Sequence, residues 1–208
     1  MKRLNHTLYR PIMLIGCSSL ILVIKPELRM GEPVNTTVNL QNKIIMNDQS
    51  FTTSFTVDQS PKEVFAAVNN VRGWWSEQID GATDQLNSEF RYHYKDLHQC
   101  RIKITEMIPG KKVSWKVLEN YFSFTKDKTG QWKNTEIVFE ITEKDGKTEL
   151  KFTHVGLTPD EECYNVCFDA WTGYINKSLK SLITTGTGNP TKDDHSKFND
   201  DIQKKWNG

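Results

Sequence analysis

No glycine-rich phosphate loop, no H-E-x-x-H helix and no Ser-His-Asp order with a nucleophile elbow occurs in this sequence. The local signatures of nucleotide binding, zinc proteolysis and serine hydrolysis are therefore missing, which weakens an enzymatic reading. Charge of one sign is also lacking. Six Lys or Arg stand against two Asp or Glu in residues 1–45, and 21 against 24 in residues 46–208, so the basic excess belongs to the leader alone. With no basic stripe interleaved with aromatics in the remainder, no nucleic-acid partner is expected. Cysteine is scarce, at four residues, and Cys163 and Cys167 have no second pair beside them. One helical turn apart, they can share a metal, with Cys100 or His154 as further ligands. Buried thiols on a helix stripe are the simpler account, and a disulfide within one helix has poor geometry. No metal and no cofactor is expected.

A long hydrophobic run is absent too. Lys2, Arg3 and Arg10 precede the apolar segment Pro11 to Ile24, which falls short of the roughly 20 residues of a membrane-spanning helix but suits a signal-peptide core or a weak anchor. Leu14-Ile15-Gly16-Cys17 resembles a lipoprotein cleavage box, although the run stays apolar through Ile24 where a lipoprotein turns polar. In the other reading the natural start is Met46, five residues before the first strand. The protein is then cytoplasmic, and a membrane partner follows only if the leader is a genuine anchor. Downstream, residues 187–208 are polar and charged apart from Phe198, Ile202 and Trp206, which predicts a disordered or loosely docked tail.

Between these ends, residues 46–186 read as one domain. Period-two alternation recurs with turn residues between the runs. Phe51, Thr53, Phe55 and Val57 share one strand face; Phe90, Tyr92 and Tyr94 alternate with Arg91, His93 and Lys95; Ile102 and Ile104 alternate with Arg101, Lys103 and Thr105. After the Pro109-Gly110 turn come Val113, Trp115 and Val117. Ile137, Phe139 and Ile141 lead through an Asp145-Gly146 hairpin turn to Leu150, Phe152 and His154. Five or six antiparallel strands with one apolar face are predicted. Ser60-Pro61 opens a short helix with Val64, Phe65 and Val68 on its apolar side, capped by Asp58 or Ser60 and ending at Asn69-Asn70. The adjacent Trp74 and Trp75 cannot both point inward along one helix face, so one is expected in the core and the other near a rim or cavity mouth.

The segment Thr158 to Gly186 follows only strand-like runs and reads as one amphipathic helix. Thr158 caps it, Pro159 takes the first position, Glu161 completes a capping box and Gly186 ends it. Its stripe includes Cys163, Cys167, Trp171, Tyr174, Leu179 and Ile183, and needs the apolar face of the sheet as partner.

This order, with SPKEVFAAV, RGWWSE, IPGKKVSW, NYFSFTKDKT and the terminal helix, resembles the START-like superfamily called SRPBCC. Within it the sequence is most similar to the domain shared with activators of heat-shock-protein-90 ATPase, over about Phe51 to Gly186. The resemblance implies an α+β helix-grip fold: a curved antiparallel sheet wrapped around the long carboxy-terminal helix, often with an apolar cavity between them. Superfamily members bind or transform very different molecules on this scaffold, so it implies fold more than function.

Candidate cavity residues are Trp75, Phe90, Tyr92, Trp115, Tyr121, Phe122, Phe124, Phe139, Phe152, His154, Trp171 and Tyr174. Each is equally an ordinary core residue, and the tyrosine hydroxyls would be the polar handles. His154 shares the apolar face, where an imidazole orients a ligand, acts as acid or base, or simply bonds to backbone in the core. His93 falls on the polar face and is expected to be solvated. His98 has no evident partner. The leading expectation is a non-enzymatic module binding a small hydrophobic or amphipathic molecule. The resemblance adds two alternatives: a co-chaperone-like protein contacting a chaperone ATPase, and a cyclase-, hydrolase- or dehalogenase-like enzyme using His154 and a cavity tyrosine.

Overall fold

The computed structural model describes residues 50–196 and Lys204. The apolar run Pro11 to Ile24, Cys17, Met46 and the tail residues Phe198, Ile202 and Trp206 lie outside the described residues.

Seven antiparallel strands form one sheet: β1 (Phe51–Val57), β2 (Ile79–Gly81), β3 (Glu89–Tyr94), β4 (His98–Ile108), β5 (Lys112–Phe122), β6 (Glu136–Lys144) and β7 (Lys147–Val155). The spatial order is β1-β7-β6-β5-β4-β3-β2, so every neighbour except the β1–β7 pair is also a sequence neighbour. Alternation reads true along β1, where Phe51, Phe55 and Val57 are buried and Thr52, Ser54 and Thr56 exposed. Asp145 and Gly146 both have positive φ, 54° and 72°, the conformation a two-residue hairpin needs and glycine adopts without strain. The outer face carries cross-strand ion pairs such as Arg101–Glu89 at 3.4 Å and Lys151–Glu140 at 3.1 Å. At such exposure each contributes about 0–1 kcal/mol, so the inner face holds the fold together.

Helix α1 (Pro61–Asn69) is capped by Ser60, one of the two expected residues, and Glu63 completes a capping box, the serine hydroxyl accepting from the Glu63 N–H and the Glu63 carboxylate accepting from the Ser60 N–H. It packs on the inner face against β6. The long carboxy-terminal helix α2 has three contiguous pieces, an α-helix Tyr164–Gly173, a π-helical turn Tyr174–Leu179 and an α-helical end Lys180–Thr185, closed by Gly186 at φ 78°. Cys167, Trp171, Ile175, Leu179 and Ile183 of its stripe are buried against the sheet. This is the α+β helix-grip arrangement. No helix among the described residues is long and apolar enough to cross a membrane.

Two local expectations change. The helix begins at Tyr164 rather than Thr158, because the first acidic turn is used elsewhere: the Glu161 N–H closes a turn on the Thr158 carbonyl at 3.0 Å, Glu162 accepts from the Lys126 N–H at 2.8 Å, and Gln131 accepts from the Cys163 N–H at 3.0 Å. These bonds tie the helix start to the 123–132 loop. Trp74 and Trp75 are both buried, at 0% and 2% exposure, since they follow a 3-10 turn (Val71–Gly73) and Trp74 has left helical geometry. Outside a helix, successive side chains need not diverge by a third of a turn. Both indoles lie near-parallel to Trp115, at 6.4 and 6.3 Å between ring centres.

Candidate functional site

A cavity of about 210 Å³ opens between the β3–β4–β5 end of the sheet and the first half of α2. Trp75, Tyr92, Phe122, Phe124, Trp171 and Tyr174 of the expected residues line it, with Tyr94, Leu97, His98, Trp132, Val166, Cys167 and Ala170 in addition. Leu97, Phe124 and Val166 are each more than 40% exposed, giving the opening an apolar rim. A wider depression between α1 and the Pro109-Gly110 turn, lined by Lys62, Arg72 and Asp84 among others, lies open on the surface.

The other expected residues do not line the cavity. Phe90, Trp115, Phe139 and Phe152 are fully packed core; Phe90 meets Trp115 edge-on at 5.3 Å and Phe139 meets Phe152 at 5.2 Å. Tyr121 points outward because of a β-bulge. Ile102 pairs with Val117 but Arg101 pairs with Glu119, leaving Leu118 as an extra residue. From there the parity of β5 flips, and Asn120 and Phe122 face inward instead.

His154 is wholly buried behind the cavity wall and fully bonded. Trp171 donates its indole N–H to Nδ1 at 3.0 Å, so that nitrogen is the acceptor and Nε2 carries the proton. Nε2–H donates to the Thr135 hydroxyl at 2.9 Å, which donates to the Trp132 carbonyl at 2.6 Å. Burial, with a smaller contribution from His98, lowers its pKa to about 3. It is a neutral structural link between β7, the 123–135 segment and α2.

His98 does line the cavity. Its ring lies on Phe122 at 4.2 Å and edge-on to Trp132 at 4.8 Å, and Nε2 pairs with Asn120 Oδ1 at 3.0 Å. Burial lowers its pKa to about 3 as well, partly opposed by the Asn120 bond. His93, expected to be solvated, is buried at 5% exposure, and its Nε2 contacts the Ser196 carbonyl oxygen at 3.0 Å.

The segment after Gly186 brings that contact. Thr191 bridges to the Ser76 backbone, bonding Trp75 O and the Glu77 N–H at 2.9 Å each, and Gln78 reaches Asp194 at 2.6 Å. The Thr191 hydroxyl meets Tyr174 Oη at 2.7 Å. Tyr92 shares this end of the cavity, and its pKa is pushed well above the usual tyrosine value, first by burial and then by Tyr174. The described tail is thus docked, and it supplies a hydroxyl partner for Tyr174 at one end of the cavity. Thr191→Val is expected to cost about 1 kcal/mol, one neutral hydrogen bond, in urea unfolding. An unchanged midpoint would mean that the Tyr174–Thr191 bond contributes nothing net.

Cys163 and Cys167 are both buried one helical turn apart, and the interaction of the two thiols holds Cys163 below its ordinary value and pushes Cys167 up. The buried Trp132 indole N–H has no hydrogen-bond partner among the described residues. Cys100 is buried away from Cys163 and Cys167 on β4, and no group of three or more His, Cys, Asp or Glu able to hold a metal occurs among the described residues.

A family model described as activator of Hsp90 ATPase homolog 1-like protein matches residues 58–184, most of the domain just described. The chain belongs to this family. The activator-homologue chain is similar in fold to the Aha1 dimer from Colwellia psychrerythraea, at 22% identity over 67% of this chain and 98% of that one, with a TM-score of 0.55. It is similar also to protein MLL2253 from Mesorhizobium loti, at 14% identity over 65% of this chain and 96% of that one, TM-score 0.52. DynU16, described as a putative protein in the dynemicin biosynthetic locus, gives 14% identity over 68% of this chain but 49% of its own length, TM-score 0.50. No curated protein matches. At these identities the likeness is one of fold.

Proposed function

We propose that this activator-homologue domain is a non-enzymatic module that binds a small hydrophobic or amphipathic molecule between its sheet and α2. The observation that supports it most is the partly enclosed, aromatic-walled cavity with three exposed apolar side chains at its mouth. A packed core has no reason to leave such a space, since interiors fill to crystal-like density. Its size narrows the ligand. Sites for drug-sized molecules run to about 300–1,000 Å³, whereas an apolar hole of about 150 Å³ takes a benzene-sized guest. At about 210 Å³ the occupant is one or two rings, or a short chain, rather than a full acyl lipid.

The test is native mass spectrometry of the full chain purified without detergent, compared with its denatured mass. A bound species of low mass, or uptake of added toluene or indole, is the expected result. A clean unliganded mass that also takes up neither probe would overturn the reading.

Family membership favours a second reading, contact with a chaperone ATPase. Capture of an Hsp90-type chaperone, or stimulation of its ATPase, by the purified chain would support it. An acid-base role for His154 has little support, because both ring nitrogens are already committed inside the protein.

A further inference from the structure

The cavity has a neighbour. A second space of about 300 Å³ opens where α2 meets the segment after Gly186, and Asp169, Gly173, Lys177, Ser178 and Asn189 line it together with Ala170 and Tyr174. Ala170 and Tyr174 line the cavity as well. Ala170 carries only a methyl group, so the partition between the two spaces is the Tyr174 side chain. The spaces also differ in character. No Lys, Arg, Asp or Glu lines the cavity, where a charged ligand would lose its hydration and meet no counter-charge, whereas Asp169 and Lys177 bring charge to the space beyond.

Tyr174 is held in place from both ends. Its ring stands edge-on to Trp171, with centres 6.4 Å apart, and its hydroxyl meets the Thr191 hydroxyl at 2.7 Å. Thr191 is itself fixed by backbone bonds to Trp75 and Glu77 at 2.9 Å each. Two residues earlier, the Asn189 N–H donates to Ser178 Oγ at 2.7 Å, which ties the same stretch of tail to α2. Tyr174 also opens the π-helical turn of α2, a rare geometry that recurs at functional sites.

Resting on the ligand-binding reading above, we propose that Tyr174, pinned by Thr191, is the stop that sets ligand length in this cavity. With its ring in place, the occupant is an uncharged compound of ring size that ends at Tyr174. With the ring removed, the cavity and the space beyond become continuous, and a neutral ligand carrying a further ring reaches across.

The experiment titrates the full chain, as wild type, Tyr174→Ala and Thr191→Val, with toluene by calorimetry and with N-phenyl-1-naphthylamine, an uncharged three-ring probe, by its fluorescence. Tyr174→Ala is expected to bind the long probe about tenfold more tightly than the wild type, a gain smaller than full burial of an aromatic ring provides. Thr191→Val keeps the ring but frees its hydroxyl, and falls between the two at about threefold, the size of one net hydrogen bond. Toluene affinity stays within about threefold throughout, which reports an intact cavity. A wild type that binds the long probe as tightly as either variant overturns the proposal, and toluene binding then leaves the ligand-binding reading standing. If neither compound binds the wild type or the variants, that reading fails and this one with it. Thr191→Val removes a single hydrogen bond and decides even if Tyr174→Ala does not fold.

Discussion

Trp171→Ala is expected to destabilise the domain by about 3–5 kcal/mol, the range for removing a buried indole. Trp171 is the point where the sheet, the 123–135 segment and α2 meet. Its ring is near-parallel to Trp132 at 5.6 Å and packs on Phe152 at 4.8 Å and Trp75 at 5.1 Å. Its N–H also satisfies His154. Trp171→Phe separates the two contributions, since it keeps most of the apolar volume and removes the donor. It should still cost about 1–3 kcal/mol, because His154 Nδ1 is then a buried acceptor with no partner. Adding His154→Leu should recover part of that loss in a double-mutant cycle. Urea midpoints read all three, and a Trp171→Phe protein as stable as the wild type would show that the indole–imidazole bond contributes nothing net.

Acidification from pH 7 to pH 5 is expected to remove about 3 kcal/mol of stability. His154 and His98 have folded pKa values near 3, against about 6.5 in the unfolded chain. A histidine with a depressed folded value stabilises the fold fully above the unfolded pKa and loses that contribution as pH falls through it toward the folded value. The unfolded state then binds the extra proton and gains about 1.4 kcal/mol per pH unit. Integrated between pH 7 and pH 5, that is about 2 kcal/mol for His154 and somewhat less for His98, whose ring edge reaches the cavity. The carboxylates held low by surface partners, such as Glu77 beside Lys192 and Glu106 beside Lys112, are exposed and titrate in more acid solution. Glu161, raised by burial and then by Asp127 and Asp160, takes up its proton earlier in the folded than in the unfolded chain and so opposes the histidines, weakly because it is only partly buried. Urea midpoints at the two pH values check it; a loss of about half would mean that one ring is protonated in the native state, and equal midpoints that both are.

The strands, the hairpin turn, the start of the first helix and the helix that fills the sheet were legible in the sequence because each depends on local periodicity or turn chemistry. The cavity was half legible. Tyr92, Trp171 and Tyr174 lie on apolar faces that alternation or helical spacing marks, whereas Phe122 faces inward only through the bulge and Trp75 follows a 3-10 turn outside either period. Tyr121 was misplaced because a bulge is a tertiary adjustment that a period of two does not announce, and the same bulge hid Asn120. Trp132 stands in a loop with no period, and only its contacts with His98, His154 and Trp171 make it part of the wall. The Thr158 to Glu161 capping signature was real as chemistry but outcompeted: Glu162 and the Cys163 N–H were taken by the neighbouring loop. His93 required knowledge that the tail returns across β3.

The most direct test of the ligand-binding account is an NMR titration of the full chain with toluene, following the indole N–H resonances. Saturable shifts of Trp75, Trp132 and Trp171, with Trp74 and Trp115 unmoved, are the predicted result, since only the first three face the cavity. Shifts absent at saturating toluene, or spread equally over Trp74 and Trp115, would contradict it.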